Sequence, residues 1–388
     1  MKKSRSKIRS SKSKSGSSVP FTLPFRFKKP PVSILLYILG AILYIDRTRK
    51  SVKNRMAKME YTNIDNWVAN DTSLVFYNQY SEQFRDNPKN FKVEDLLHQQ
   101  PNDWFVFHNK LPKCGSTVMN DMLRGLSARN KFKYIKMDAE NMKFDEEQKL
   151  VDWLHTQGLQ EGKPFFLMQH HYWMDFTKYP TAKGGSEKFK QPTLINVMRE
   201  PTSWFSSHYH FHLYGWKRNP GTRNSKKEGM DLNSCILENV EQCQHNDWRY
   251  IEFFTGKMNA DRQGKELKTD ADRAKAVASA KERLVHDYHV IGILEQFEDT
   301  LELFEVMMPR YYKDALKVWK SDSVQNTRDQ TQSLNKTELS QEAKDKLRSG
   351  ILKYEYDLYQ FTRALFNARL QYMRKSALGK LKYKYYLE

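Results

Sequence analysis

This sequence predicts one large α/β domain, a mainly parallel sheet with helices on both faces. Three observations predict it. Short apolar runs alternate with stretches of helical period, the pattern of successive β-α units. Three of these runs, Trp104–His108, Phe165–Met168 and Gln191–Met198, each give way to a polar cluster: Lys110–Thr117, His170–His171 and Arg199–Ser207. Open parallel sheets bind ligands beyond the carboxyl ends of their strands, where these clusters fall. The 388 residues can bury such a core and leave appendages over.

The appendages come first. Residues 1–30 are rich in Ser, Lys and Arg, with ten basic side chains and no acid, which suits a disordered tail. Val32–Ile45 then runs without a charge. As a helix it spans about 21 Å, short of a ~30 Å hydrocarbon core. A signal-peptide core and a buried helix are the alternatives to a membrane span. Asp46-Arg47 stands where a cleavage site needs small residues, while Pro30, Pro31 and snorkelling Lys and Arg side chains can lengthen a span. The expectation is a signal-anchor over 31–45, with the basic tail cytosolic and the bulk lumenal. Residues 46–101, polar and without sustained period, form the expected stem; 102–375 form the folded body and 376–388 a tail.

Charge narrows the partners. The net charge is +19, and subtracting the ten basic residues of the tail leaves +9. A body that basic suits a polyanion, either nucleic acid or a sulfated or carboxylated polysaccharide. No nucleic-acid-binding motif is present, so nucleic acid is not expected as the partner.

The first β-α unit carries the clearest chemistry. Trp104–His108 suits a buried strand, Asn109–Gly115 a turn, and from Thr117 the residues Val118, Met122, Leu123 and Leu126 recur at helical spacing. Ser116 or Thr117 is the expected N-cap. A strand, a cationic turn and a helix N-terminus together collect N–H groups and a helix dipole onto an anion. Lys113 adds a full charge at the mouth. The motif GxxxxGK[ST] is absent, so the loop differs from the common nucleotide-binding one; an ordinary β-turn-α connection is the alternative.

Downstream, Lys133–Met137 predicts a strand, Glu146–Thr156 an amphipathic helix, and Phe165–Met168 a strand ending at Gln169-His170-His171. In an extended segment His170 and His171 point to opposite sides. Arg199 leaves the strand Gln191–Met198, and Ser207 lies about two turns into the helix Thr202–Leu213. An arginine fork plus a hydroxyl suits one phosphate; a surface ion pair and a capping serine are the bland reading. Tyr214–Lys227 is a basic Pro/Gly loop holding Lys217, Arg218 and Arg223. Ala271–Val285 and Phe297–Met308 predict helices around a strand Tyr288–Leu294. Ser321–Ser333 predicts a polar loop, and Gln341–Arg374 one long aromatic helix whose stripe serves core or homo-oligomer contact. Cys235 and Cys243 are close in sequence, so a lumenal setting favours their disulfide, with two buried thiols as the alternative. Cys114 has no evident base beside it and suits packing under the turn. Sequons stand at Asn70 and Asn335. No metal-ligand cluster is visible.

At these residues the chain resembles the sulfotransferases. Pro112, Lys113, Ser116 and Thr117 match their Pro-Lys-x-x-Ser/Thr-Ser/Thr loop, and NKLPKCGS resembles the loop of the uronyl 2-sulfotransferase and heparan sulfate 2-O-sulfotransferase family. DLNSCILENVEQC, with Cys235 and Cys243, strengthens the likeness, which covers roughly Phe105 to Tyr372. KCGS and CILEN lean toward the uronyl branch.

The resemblance implies a P-loop-like sulfotransferase fold and a Golgi type II membrane enzyme. It would move a sulfuryl group from 3′-phosphoadenosine 5′-phosphosulfate (PAPS), without a metal, to the 2-hydroxyl of a hexuronic acid in dermatan or chondroitin sulfate. Heparan sulfate is the alternative acceptor, and a non-catalytic glycosaminoglycan-binding membrane protein the alternative class. The resemblance assigns the 5′-phosphosulfate to Lys110, Lys113, Gly115, Ser116 and Thr117, and the 3′-phosphate to Arg199 and Ser207, with Arg328 a looser candidate. It makes His170 the base, five residues before Asp175-Phe176, and Lys113 the second catalytic group. Lys217, Arg218 and Arg223 would cradle the acceptor. Two departures stand out: Trp204 replaces an arginine of the related enzymes, and Met168 a second histidine of the heparan enzyme.

Overall fold

Aromatic and branched apolar side chains, alternating along short strands, put both faces of one sheet out of water. The computed structural model describes residues 104–137, 147–157, 159, 163–181, 184–220, 231–240, 250–256 and 269–375. The elements run β1 (Phe105–Asn109), α1 (Ser116–Asn130), β2 (Lys133–Lys136), α2 (Glu147–Thr156), β3 (Phe165–Gln169), β4 (Thr193–Met198) and α3 (Pro201–Tyr214). A two-residue hairpin, β5 (Gly215–Trp216) with β6 (Asn219–Pro220), follows; then α4 (Leu232–Leu237), α5 (Tyr250–Thr255), α6 (Asp270–His286) and β7 (Tyr288–Ile293). The chain continues through α7 (Phe297–Met307), α8 (Pro309–Tyr312), α9 (Ala315–Trp319), α10 (Asp322–Gln330), α11 (Gln341–Ser349) and α12 (Lys353–Lys375).

Among the described residues, five strands pair in the order β2-β3-β1-β4-β7, every pair parallel. From β1 the chain crosses to the edge strand β2, steps back to β3 beside β1, and then passes to the other side of β1 as β4. That reversal opens a crevice at the carboxyl end of β1. The centre is aromatic: Phe105 packs on Phe165 and Phe176, and Phe107 on Phe176 and His171. Phe166, on the opposite face, meets Phe132, Tyr311 and Tyr312. All five residues of β1 and of β3 are buried, as central parallel strands require.

Two expectations about whole elements fail. Ser321–Ser333 is largely helix, not loop: α10 occupies Asp322–Gln330. Its single buried apolar residue, Val324, gives too little period to detect, and the helix is held from outside by Thr327 Oγ1 donating to Asp121 Oδ2 on α1 at 2.6 Å. The long terminal helix is two. It breaks at Gly350, where the Leu352 N–H turns back to the Leu347 carbonyl at 2.9 Å and both leucines are buried. A glycine inside a periodic pattern is tolerated by helices, so the pattern alone does not locate this stop. The expected anchor 31–45, the stem 46–101, the tail 376–388, and Asn70, Arg223 and Cys243 lie outside the described residues. Among those described, no helix is long and apolar enough to cross a membrane.

Candidate active site

The carboxyl end of β1 is pinned before the loop begins. Asn196 of β4 donates through Nδ2 to the Asn109 carbonyl at 2.5 Å and to its Oδ1 at 3.1 Å, and Asn109 Nδ2 donates to the Tyr288 hydroxyl at 2.7 Å. The Leu111 N–H reaches Asn196 Oδ1 at 3.4 Å. These groups from β1, β4 and β7 satisfy one another away from water, so the loop starts from a rigid base.

Two left-handed residues, Lys113 (φ 59°) and Gly115 (φ 79°), then turn the chain into α1. Gly115, not Ser116 or Thr117, is the N-cap, and it offers no side-chain acceptor. Ser116 and Thr117 already lie inside the helix. The opening N–H groups of α1 therefore have no side-chain cap, the condition in which a helix N-terminus takes an anion. A Cβ on Gly115 would stand 2.7 Å from Leu294 Cδ1. Gly115→Ala should cost about 1–2 kcal/mol in backbone strain alone, lowering the thermal midpoint by several degrees. An unchanged melting curve would refute this account of the turn.

The loop's carbonyls gather the other clusters. Arg199 Nη1 donates to the Lys113 carbonyl at 3.2 Å, while its buried Nε has no hydrogen-bond partner among the described residues. Trp204 Nε1 donates to the Pro112 carbonyl at 2.9 Å. Thus Trp204, buried against Tyr250 and His208, latches the loop. The Tyr250 hydroxyl donates to the Arg199 carbonyl at 2.9 Å and lies 4.0 Å from Cys114 Sγ. Burial pushes the Cys114 thiol up to about 12, so it packs under the turn as an inert group. The Lys113 ammonium rests 3.8 Å from the Phe211 ring centre and 5.0 Å from that of Trp216.

On the β3 side, His170 Nδ1 lies 2.9 Å from the Lys110 carbonyl. A carbonyl only accepts, so Nδ1 carries the proton and Nε2 keeps its lone pair. His171 points the opposite way: fully buried against Phe107, its Nδ1 is 2.7 Å from the Tyr172 carbonyl. Lys110 itself is buried, 3 % exposed.

Ser207 is buried on α3, and the Ser333 hydroxyl donates to its carbonyl at 3.4 Å. The segment after α10 crosses α3 here, with the Thr337 N–H donating to His210 Nε2 at 3.2 Å. It brings in Lys336, which sequence reasoning missed. Although that side chain is largely open to solvent, partial desolvation and the Arg199 guanidinium hold its ammonium below the usual range. Its signal was only one lysine inside a sequon. Arg328 stands differently: exposed on α10, it contacts Gln325 and sits 5.5 Å from the Trp319 ring centre. No contact to Arg199 or Ser207 is formed by it among the described residues. Lys217 and Arg218 are exposed at the β5–β6 turn, their N–H groups bound to the carbonyls of Gln332 and Gln330 at 3.2 and 2.9 Å. Asn335 is exposed with φ 49°. Cys235 is buried on α4.

Comparison with known proteins places this geometry in context. A family model described as the sulfotransferase family matches residues 100–367. Uronyl 2-sulfotransferase of Mus musculus is 30% identical over 274 residues, covering 68% of this chain and 62% of that protein. The Homo sapiens protein of the same name is 29% identical over the same length and shares. Heparan sulfate 2-O-sulfotransferase 1 of Xenopus laevis is 24% identical over 352 residues, 89% of this chain and 87% of that protein. The chain thus spans a little under two thirds of the length of the uronyl relatives it matches.

Proposed function

Because the chain belongs to the sulfotransferase family, we propose that it is a glycosaminoglycan 2-O-sulfotransferase. It transfers the sulfuryl group of PAPS to the 2-hydroxyl of a hexuronic acid in dermatan or chondroitin chains. One observation carries the reading: backbone carbonyls three residues apart in one loop, those of Lys110 and Lys113, hold His170 and Arg199 respectively. Groups from β1, β3 and β4 are thereby tied to one turn.

The donor set fits a molecule with phosphate at both ends. The uncapped start of α1 with Ser116, Thr117, Lys110 and Lys113 suits the 5′ end. Arg199, whose buried Nε has no partner among the described residues, with Ser207 and Lys336 suits the 3′-phosphate. PAPS supplies an activated sulfuryl group there. His170 Nε2 takes the proton of the 2-hydroxyl as that oxygen bonds to sulfur. Lys113 meets the negative charge that builds on the phosphate oxygen as its bond to sulfur breaks. Lys217, Arg218 and Arg223 hold the acidic acceptor chain.

The setting we propose is the Golgi membrane, single-pass type II, with residues 31–45 as anchor, the folded body lumenal, Asn70 and Asn335 glycosylated, and homo-oligomers open to test. A Cys235–Cys243 disulfide belongs to the same proposal; Cys114 is the free thiol among the described residues. The uronyl names of two relatives support a uronic acid as the sugar that receives the sulfuryl group.

The test is radiolabelled PAPS with the purified chain and desulfated dermatan, chondroitin or heparan as acceptor. Label at the 2-position of uronic acid in dermatan or chondroitin is the expected result. Label confined to heparan would move the acceptor assignment. Retention on the polysaccharides with no transfer would mean a binding protein instead.

A further inference from the structure

His108 has no part in the chemistry above, yet it sits at its foundation. It is the penultimate residue of β1, paired in register with Met168 of β3 and Ile195 of β4. Only 2 % of it is exposed, and its Nδ1 has no hydrogen-bond partner among the described residues. A polar nitrogen so deep is costly to leave without a partner. Lys110 stands just past the end of β1, and its N–H turns back to the His108 carbonyl at 2.8 Å, so His108 lies against the start of the loop. The Lys110 carbonyl in turn holds His170.

We propose that His108 is a positioning residue whose neutral imidazole accepts a hydrogen bond from the Lys110 ammonium and aims it at the donor's 5′-phosphate. Burial, then the nearby Lys110 ammonium and His170, push the His108 imidazole down to about 3. It therefore stays an acceptor at neutral pH, and it does not compete for the proton that His170 takes. An acceptor that never protonates is what a buried ammonium needs to keep both its charge and its direction.

The inference rests on the functional reading above, and its test separates the two. Titration calorimetry measures the affinity of the full chain for adenosine 3′,5′-bisphosphate, the donor without its sulfuryl group, and kcat and KM for PAPS are measured alongside. His108→Phe keeps the volume but has no acceptor; affinity should fall about ten- to a hundredfold, as when a hydrogen bond to a charged group is lost, with the larger change in KM. His108→Asn, an acceptor that does not titrate, should recover most of that loss. If the phenylalanine chain does not fold by circular dichroism, His108→Leu takes its place. Equal binding by wild type and the apolar variant overturns the inference alone. An asparagine chain as defective as the apolar one also overturns it, because packing or proton relay would then be the role. A wild type that neither binds the bisphosphate nor turns over overturns the functional reading with it.

Discussion

His170→Ala should abolish sulfuryl transfer and leave binding of adenosine 3′,5′-bisphosphate within about twofold. Removing a general base typically costs about 10²–10⁴ in rate, and a sugar hydroxyl is too weak an acid to surrender its proton unaided. The structure sharpens the expectation by fixing the ring. With Nδ1–H bound to the Lys110 carbonyl at 2.9 Å, Nε2 is the ring nitrogen that carries the lone pair. His170→Gln is the more demanding variant, because its amide can donate to that same carbonyl while offering no comparable base. It should hold the loop and remain inactive. Single-turnover assays at saturating PAPS, beside calorimetry with the bisphosphate, distinguish lost chemistry from lost binding. Full activity in either variant would end the assignment. His171 is a poor substitute, being fully buried against Phe107.

Lys113→Ala should lower kcat by about 10²–10³, the usual loss when a donor aimed at developing charge is removed. Lys113 sits at φ 59°, its ammonium over the Phe211 and Trp216 rings. Such cation–π contacts are worth about 0.5–2 kcal/mol, weak enough to yield to a phosphate. Lysine also places a compact charge where arginine would bring a wide planar fork, so Lys113→Arg should rescue poorly. The readout is kcat at saturating donor and acceptor. An unchanged kcat with a raised KM for PAPS would reduce Lys113 to a binding residue.

Much of this was legible before any coordinates. The apolar runs became β1, β3, β4 and β7 with ends shifted by a residue or two, because alternation and turn residues are local signals. The clusters after those strands fell at the carboxyl edge because parallel topology puts them there. Harder to read was α10, whose apolar content is a lone Val324 and whose anchor is Asp121, far away in sequence. The cap of α1 departs from the local signal for a different reason. Ser116 and Thr117 are good capping types, but a left-handed turn at Gly115 takes the cap position and leaves both inside the helix.

From the residues alone came the β-α alternation, the basic balance and the identity of the charged groups beyond each strand. Their partnerships came from the tertiary structure. The bond from His170 to the Lys110 carbonyl spans 60 positions and that from Arg199 to the Lys113 carbonyl spans 86. Side-chain period reports on neighbours a few residues apart, whereas these contacts depend on the strand order β3-β1-β4. Placing β1 between β3 and β4 brings His170 and Arg199 to opposite ends of one turn, with His108 in the strand that leads into it.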